Sequence, residues 1–324
     1  MVNSNRQPPR ARGKRLVWEQ LPERIRTAIE SWLGEPVVAT RSMPGGFSPG
    51  LASRLTTASG RRVFAKAVSN TLNPMAPSLH RREILVASRL PTSAPAPRLL
   101  WSSREDGGEE WVVLVFEDVD GRSPVQPWIE GELRQAVDAL NRLTTMLTPS
   151  PIPKGEVGGV ESWGVLFRDS WLRFKFDELT SHDSWVHRHL ARLIEAEQRA
   201  PSVVAGNTLL HLDLRGDNML LTENGVVIVD WPHARIGAAW IDPVFFAPSV
   251  AMQGGPEPEE LITQFLATCT ADPGQMTLGI IAMAGFFTHQ GALPAAEGLP
   301  GLREFQEAQG AVARRWIAQR TGWE

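Results

Sequence analysis

Residues 208–243 read TLLHLDLRGDNMLLTENGVVIVDWPHARIGAAWIDP, and the way this stretch must bend decides the fold. Within it His211, Asp213 and Asn218 form an H-x-D-x-x-x-x-N loop, and Asp230 ends the next hydrophobic run. Two short apolar segments, 219–222 and 226–229, flank Glu223-Asn224-Gly225, the composition of a tight β-hairpin turn. A hairpin folds the chain back. Asp230 is therefore expected beside Asn218, with Asp213 close by on the same loop at the mouth of a cleft.

An acid, an amide and a second acid so placed suit phosphoryl transfer from a nucleoside triphosphate. That reaction passes through a loose transition state, so its catalysis is mostly positioning and charge neutralisation. Magnesium takes oxygen ligands, keeps several waters, and is usually held by one or two protein oxygens plus the phosphates. Asn218 and Asp230 are the candidate metal ligands. Asp213 is the candidate catalytic residue, able to orient an acceptor hydroxyl and take its proton. His211 is expected to brace the loop through its ring. Taken singly, Asp and Asn in a turn commonly bond their own backbone. The reading rests on their combination with a hairpin that returns the last acid to the loop.

Toward the N-terminus, Lys66 lies within Val63-Phe64-Ala65-Lys66-Ala67-Val68, a strand whose two alternating faces are both apolar. An ammonium there needs a partner or must snorkel out along its stem. After Asn73-Pro74 and Pro77, Ser78 is placed to cap a helix in which Leu79, Glu83, Val86 and Leu90 share one face. Glu83 is the single charge in that stripe, costly unless paired. A Lys66–Glu83 ion pair satisfies both and leaves the ammonium to grip the α and β phosphates.

Strands are expected at 36–43, 51–57, 62–68, 97–103 and 111–116, giving a five-stranded antiparallel sheet. Between the first two lies Pro44-Gly45-Gly46-Phe47-Ser48-Pro49-Gly50, neither a Walker A loop nor G-x-G-x-x-G. Such a turn can still lie over phosphates, its bare backbone approaching closely and Ser48 donating its hydroxyl. Upstream, 16–33 reads as an amphipathic helix carrying Val17, Leu21, Ile25, Ile29 and Leu33, with Gly34 as its stop and Pro22 marking where the helix proper can begin.

Through the H-x-D-x-x-x-x-N loop, Asp230, the W-x-D-P stretch at 240–243 and the Lys66–Glu83 pair, the chain resembles the aminoglycoside phosphotransferase and choline kinase family, in its antibiotic phosphotransferase branch. The resemblance implies an α+β, protein-kinase-like bilobal fold. It implies that Asp213 is the catalytic Asp, that Asn218 and Asp230 bind Mg2+, and that Asp242 buttresses the loop. The crossover between lobes falls at 117–121, and its backbone around Glu117 and Val119 is implied to bond the purine edge, which leaves ATP and GTP equally open. Two departures stand out. Leu212 follows the loop His where family members often have Gly, and Arg215 stands two residues after the Asp where they often have His.

At 324 residues and 42% hydrophobic content the chain can fill two cores. A formal charge of −3, with no basic stripe interleaved with aromatics, disfavours a nucleic-acid partner. The lone Cys269 forms no intramolecular disulfide or zinc pattern and suits a reducing, cytoplasmic setting. Residues 1–15 carry Arg6, Arg10, Arg12, Lys14 and Arg15 without an apolar core, so they read as a disordered basic tail rather than a signal peptide. The apolar run at 276–287 is too short to span a bilayer, and no membrane association is expected. The domain plan is a tail at 1–15, a nucleotide-binding lobe at 16–118 and a helical lobe at 119–324 that holds the loop and the acceptor pocket.

In the second lobe, helices are expected at 130–147, 163–179, 184–199, 241–252, 257–270, 275–290 and 302–320, with a loop at 150–160. His182, His187 and His189 lack an acid or Cys at ligand spacing and read as surface histidines. From Trp231 onward nine acids face five bases, a thin excess for a polycationic acceptor. The leading expectation is an ATP- or GTP-dependent O-phosphotransferase that inactivates an antibiotic, either an aminoglycoside or a nucleoside antibiotic of the capuramycin type. A macrolide suits the Trp-rich lobe equally. The alternatives are a metabolic kinase for choline, a sugar or homoserine, and a nucleotide-binding module that transfers nothing.

Overall fold

A computed structural model describes residues 15–43, 45–46, 49–106, 108–177, 179, 183–265, 271–296, 299 and 301–324. The chain opens with β1 (Arg15–Leu16), α1 (Glu23–Leu33), β2 (Val37–Ser42), β3 (Gly50–Thr57), β4 (Arg62–Ser69), α2 (Ala76–Ala87), β5 (Leu99–Asp106) and β6 (Glu110–Glu117). The five expected strands are present as β2 to β6, all antiparallel to their neighbours. The sheet nevertheless has six strands and is mixed, because β1 pairs parallel with β3. This corrects the expected five-stranded antiparallel sheet. Pairing of β2 along β3 stops at Ser42 opposite Ser53, and β1 takes over the remaining edge at Gly50 and Leu51. Two residues are too few to show an alternation, so β1 leaves no periodic signal. Arg15 is thus a strand residue, while the rest of the expected tail, 1–14, lies outside the described residues.

Period-two alternation on β4 sorts its side chains between two layers. Val63, Ala65 and Ala67 pack with Leu21, Ile25 and Ile29 beneath α1. Phe64 points to the other face, with Leu114, Phe116 and the α2 residues Ile84 and Ala87. Lys66, two residues on, shares that second face and so looks toward α2. At the start of β3, Gly50 has φ +103°, and a Cβ there would stand 2.4 Å from the Ala67 carbonyl oxygen, so only glycine lets the strand begin this close to β4.

Local corrections have local causes. The helix expected from 16 begins only at Glu23, with Pro22 as its N-cap. The start of α2 is held by Asn73, whose Oδ1 accepts from the amides of Met75 (2.9 Å) and Ala76 (3.2 Å). Ser78 lies inside the first turn and donates its hydroxyl to the Met75 carbonyl instead of capping.

After the crossover come α3 (Glu130–Met146), α4 (Lys154–Val157), α5 (Gly164–Phe167), α6 (Ser170–Phe176) and α7 (Ser184–Val204). The short strands β7 (Thr208–Leu210), β8 (Met219–Thr222), β9 (Gly225–Ile228) and β10 (Arg235–Gly237) precede α8 (Ile241–Met252), α9 (Pro258–Phe265), α10 (Pro273–Ala292) and α11 (Leu302–Thr321). The 150–160 loop contains the short α4, and the helix expected at 163–179 is split into α5 and α6. The split has a buried cause: Glu197 of α7 accepts the amides of Ser170 (2.9 Å) and Trp171 (3.0 Å), which caps a new helix there. Cys269 and His182 lie outside the described residues. One large core joins α3 and α5 to α11 around Trp171, Phe246 and Trp316. Among the described residues no helix is long and apolar enough to cross a membrane.

Candidate active site

The loop that follows β7 is pinned from below by one carboxylate. Asp242, in the first turn of α8, accepts the backbone amides of His211 (2.8 Å) and Leu212 (2.9 Å). Burial pushes its carboxyl up to about 6, against the pull of those two N–H groups. Holding two successive amides on one acid turns the chain sharply, and Leu212 sits at φ +64°. That is a conformation glycine adopts at little cost and a leucine only under constraint.

His211 is fully buried, and burial lowers its ring to about 4, so it is neutral. Nδ1 accepts the amide of Asp213 (3.2 Å), which leaves Nε2–H to donate to the Val229 carbonyl (3.0 Å). The ring therefore ties the loop to the segment that leads from β9 to Asp230.

Asp213 is held on both oxygens. Arg215 Nη1 donates to Oδ1 (3.1 Å) and Asn218 Nδ2 to Oδ2 (3.1 Å), while the same Nδ2 also reaches the Asp213 carbonyl (2.8 Å). Burial raises the Asp213 carboxyl above its ordinary value, with Arg215 pulling the other way. Arg215 is fixed in turn. Its Nε and Nη2 meet the two oxygens of Asp217 (3.0 and 3.1 Å), and its guanidinium lies over Phe305 of α11 at 5.3 Å.

The hairpin of β8 and β9 folds as its turn composition requires, with Met219 opposite Ile228. The Val229 amide donates to the Asn218 carbonyl (3.0 Å), so Asp230 emerges one residue past Asn218's neighbour. Asp230 has φ +72°, and its Oδ1 accepts from Lys66 Nζ at 2.7 Å. Lys66 also donates to Glu83 Oε1 (2.7 Å) and Oε2 (2.9 Å). Burial alone would lower the Lys66 ammonium, but Asp230 and Glu83 outweigh it and hold the group charged. Burial would likewise raise the Asp230 carboxyl, and Lys66 holds it below the usual carboxylate range instead. Glu83, more deeply buried and competing for the same ammonium, is raised.

These groups open on a cavity of about 350 Å³. Its apolar walls include Ala52, Phe64 and Leu220, and the crossover residues Glu117, Asp118 and Val119 form one rim. The sequence profile of the phosphotransferase enzyme family matches residues 41–277, which is most of the chain and, of the residues lining this cavity, all but Arg15. The chain belongs to that family. By that membership it is a phosphotransferase.

Three solved structures share its fold across nearly the whole chain. Amicoumacin kinase hAmiN, in complex with AMP-PNP, Ca2+ and Ami, is 14% identical, with 94% of this chain and 95% of that one covered at a TM-score of 0.59. A thermostable mutant of aminoglycoside phosphotransferase APH(4)-Ia, in a ternary complex with ADP and hygromycin B, is 13% identical, with 92% and 98% covered at 0.62. Choline kinase LicA from Streptococcus pneumoniae is 12% identical, with 92% and 99% covered at 0.60. No curated protein matches the chain by sequence.

Against this kinase-like frame the sequence-derived candidates sort cleanly. Lys66, Glu83, Glu117, Val119, Asn218 and Asp230 all line the one cavity. Asp213 is not among its lining residues and joins it through Asn218. Ser48 lies outside the described residues, while Gly45 and Gly46 of the same turn line the cavity. Sequence reasoning missed three further members. His80 precedes Glu83 by one turn of α2, and burial lowers its ring to about 4. Its spacing of three from Glu83 was a usable signal. Asp217, inside the loop, was legible only as a turn residue. Arg15 carried no signal, because it sits at the end of an arginine-rich run.

Proposed function

We propose that the chain transfers the γ-phosphate of ATP to a hydroxyl of a small-molecule antibiotic. The observation that carries this reading is the meeting of two hydrogen-bonded sets, Glu83–Lys66–Asp230 and Asn218–Asp213, at one cavity. The nucleotide lies between a lobe at 16–118 and one at 119–324, its base against Ala52 and Leu220 and its edge on the backbone near Glu117 and Val119. Lys66 contacts the α and β phosphates while Glu83 fixes its stem. Asp213 orients the acceptor hydroxyl and accepts its proton, a role helped by the burial that raises its basicity.

The oxygen donors here fit Mg2+. Asn218 spends its amide nitrogen on Asp213, which leaves Oδ1 as its ligand atom, and Asp230 adds a carboxylate. Among the described residues no cluster of three or more His, Cys, Asp or Glu side chains competes as a metal site. A site of two protein oxygens suits a cation that keeps water and phosphate ligands. When bound, magnesium supplies neutralisation of the phosphate charge; Asn218 and Asp230 would hold it.

A metabolic acceptor is the second reading, favoured by the likeness to choline kinase, which matches as well as the antibiotic kinases do. The experiment is a screen of γ-labelled ATP and GTP against aminoglycosides, nucleoside antibiotics, macrolides, choline, sugars and homoserine. Label is expected in an antibiotic with ATP as donor. Label in choline, a sugar or homoserine would select the second reading, and label only in free phosphate would overturn both.

A further inference from the structure

Arg15 enters the cavity from the strand that was not expected. Parallel pairing sets Arg15 opposite Gly50, the first residue of β3 after the glycine-rich turn. Its guanidinium reaches back along that turn. Nη2 donates to the Gly45 carbonyl at 2.5 Å and stands 2.8 Å from where a Cβ on Gly46 would be. Gly46 has φ +84°, so a bare backbone here serves both the turn and the close approach of the arginine. Arg15, Gly45 and Gly46 line the same cavity as Lys66, Asn218 and Asp230. Burial lowers the guanidinium, and Asp230 across the cavity acts on it in the opposite sense.

Position says what this cation is for. Three cations line the cavity among the described residues: Lys66 meets Glu83 and Asp230, Arg54 meets Asp118 (2.8 Å) and the Val119 carbonyl (2.5 Å), and Arg15 is the one set against Gly45 and Gly46. A triphosphate brings several negative charges, and the turn above it is not a P-loop opening a helix, so no helix N-terminus is supplied to receive them. A planar guanidinium offers forked donors matched to phosphate oxygens.

We infer that Arg15 is a donor-binding residue that holds the terminal phosphates of the nucleoside triphosphate, opposite Lys66 and beneath the glycine-rich turn. This rests on the reading of the chain as an ATP-dependent kinase. The strand β1 then has a functional reason, since it carries a cation to the side of Gly45 and Gly46.

The test is calorimetric titration of the full chain and of Arg15→Ala, Arg15→Gln and Arg15→Lys with MgATP, MgADP and adenosine. Both neutral variants are expected to weaken MgATP at least about tenfold, in line with loss of a charge-assisted contact, and to leave adenosine unchanged. Arg15→Lys should recover part of the loss. Arg15→Gln removes the charge and keeps a polar side chain, while Arg15→Lys keeps the charge and loses the fork, so the two together separate charge from geometry. Unchanged MgATP affinity in the neutral variants, or an equal loss for adenosine, would overturn the inference while leaving the kinase reading intact. A wild-type chain that binds no MgATP would remove the reading beneath it.

Discussion

At the residue scale, Asp213 is held by neighbours that leave it usable as a base. Each carboxylate oxygen accepts one hydrogen bond and keeps a lone pair, and burial raises its proton affinity. Asp213→Ala is expected to lower kcat by about 10²- to 10⁴-fold, the range for a general base. MgATP affinity should stay within a few fold, because Asp213 stands off the cavity lining and Asn218 keeps its bond to the residue 213 carbonyl. Steady-state kinetics with a nucleotide titration checks both parts, and an undiminished kcat would remove Asp213 from the reaction. Leu212 poses a contest of magnitudes. A non-glycine left-handed residue costs about 1–2 kcal/mol, whereas removing a buried leucine side chain costs about 2–5 kcal/mol. Leu212 is buried, so packing wins. Leu212→Gly should destabilise the chain by about 1–3 kcal/mol in urea unfolding and retain activity, since both amides still reach Asp242; a more stable variant would show that strain dominates. The sequence displayed Leu212 as a departure but not its backbone angle, which only the Asp242 clamp dictates. Lys66 and Glu83 were legible because each was a charge in an apolar pattern. Arg15 was not, because a charge among charges has no contrast.

At the scale of elements, periodicity carried the long helices and strands, and buried polar groups decided what it could not. Helix α8 keeps its expected bounds because its residues are apolar nearly throughout. The break between α5 and α6 has no sequence signal of its own, since the group that makes it, Glu197, lies on another helix. That carboxyl is fully buried, and burial pushes it up to about 7 against the amides it accepts. Its folded value exceeds the ordinary one, so the folded state binds the proton more tightly than the unfolded chain does. The stability it lends is therefore present below about pH 4.5 and is lost as pH rises to about 7, by an amount on the order of 3 kcal/mol. Glu197→Gln removes the titration. Unfolding free energies measured between pH 5 and pH 7 should fall less steeply for the variant than for wild type, and equal slopes would mean that Glu197 does not titrate in this window.

At the scale of the whole molecule, the site exists only where the sheet side meets the helical side, and a few side chains hold that meeting. Lys66 crosses to Asp230, and the Ile228 amide in the hairpin donates to the Pro95 carbonyl, just ahead of β5, at 2.7 Å. Arg82 of α2 makes the third link. Its guanidinium donates to the carbonyls of Val157 (2.9 Å), Ala234 (2.8 Å) and Pro232 (3.3 Å). Two of those carbonyls lie within four residues of Asp230. One arginine thus fixes the helix that carries Glu83 against the segment that carries Asp230, and the Lys66 ammonium lies between their acids. Truncating it strands three acceptors and frees α2 to shift. Arg82→Ala should lower unfolding stability by about 1.5–3 kcal/mol, the worth of charged hydrogen bonds, and should also raise the KM for ATP, with Arg82→Lys intermediate in both. Thermal melts and initial rates at varied ATP test the link. A loss of stability with an unmoved KM would show that Arg82 braces the fold without positioning Glu83.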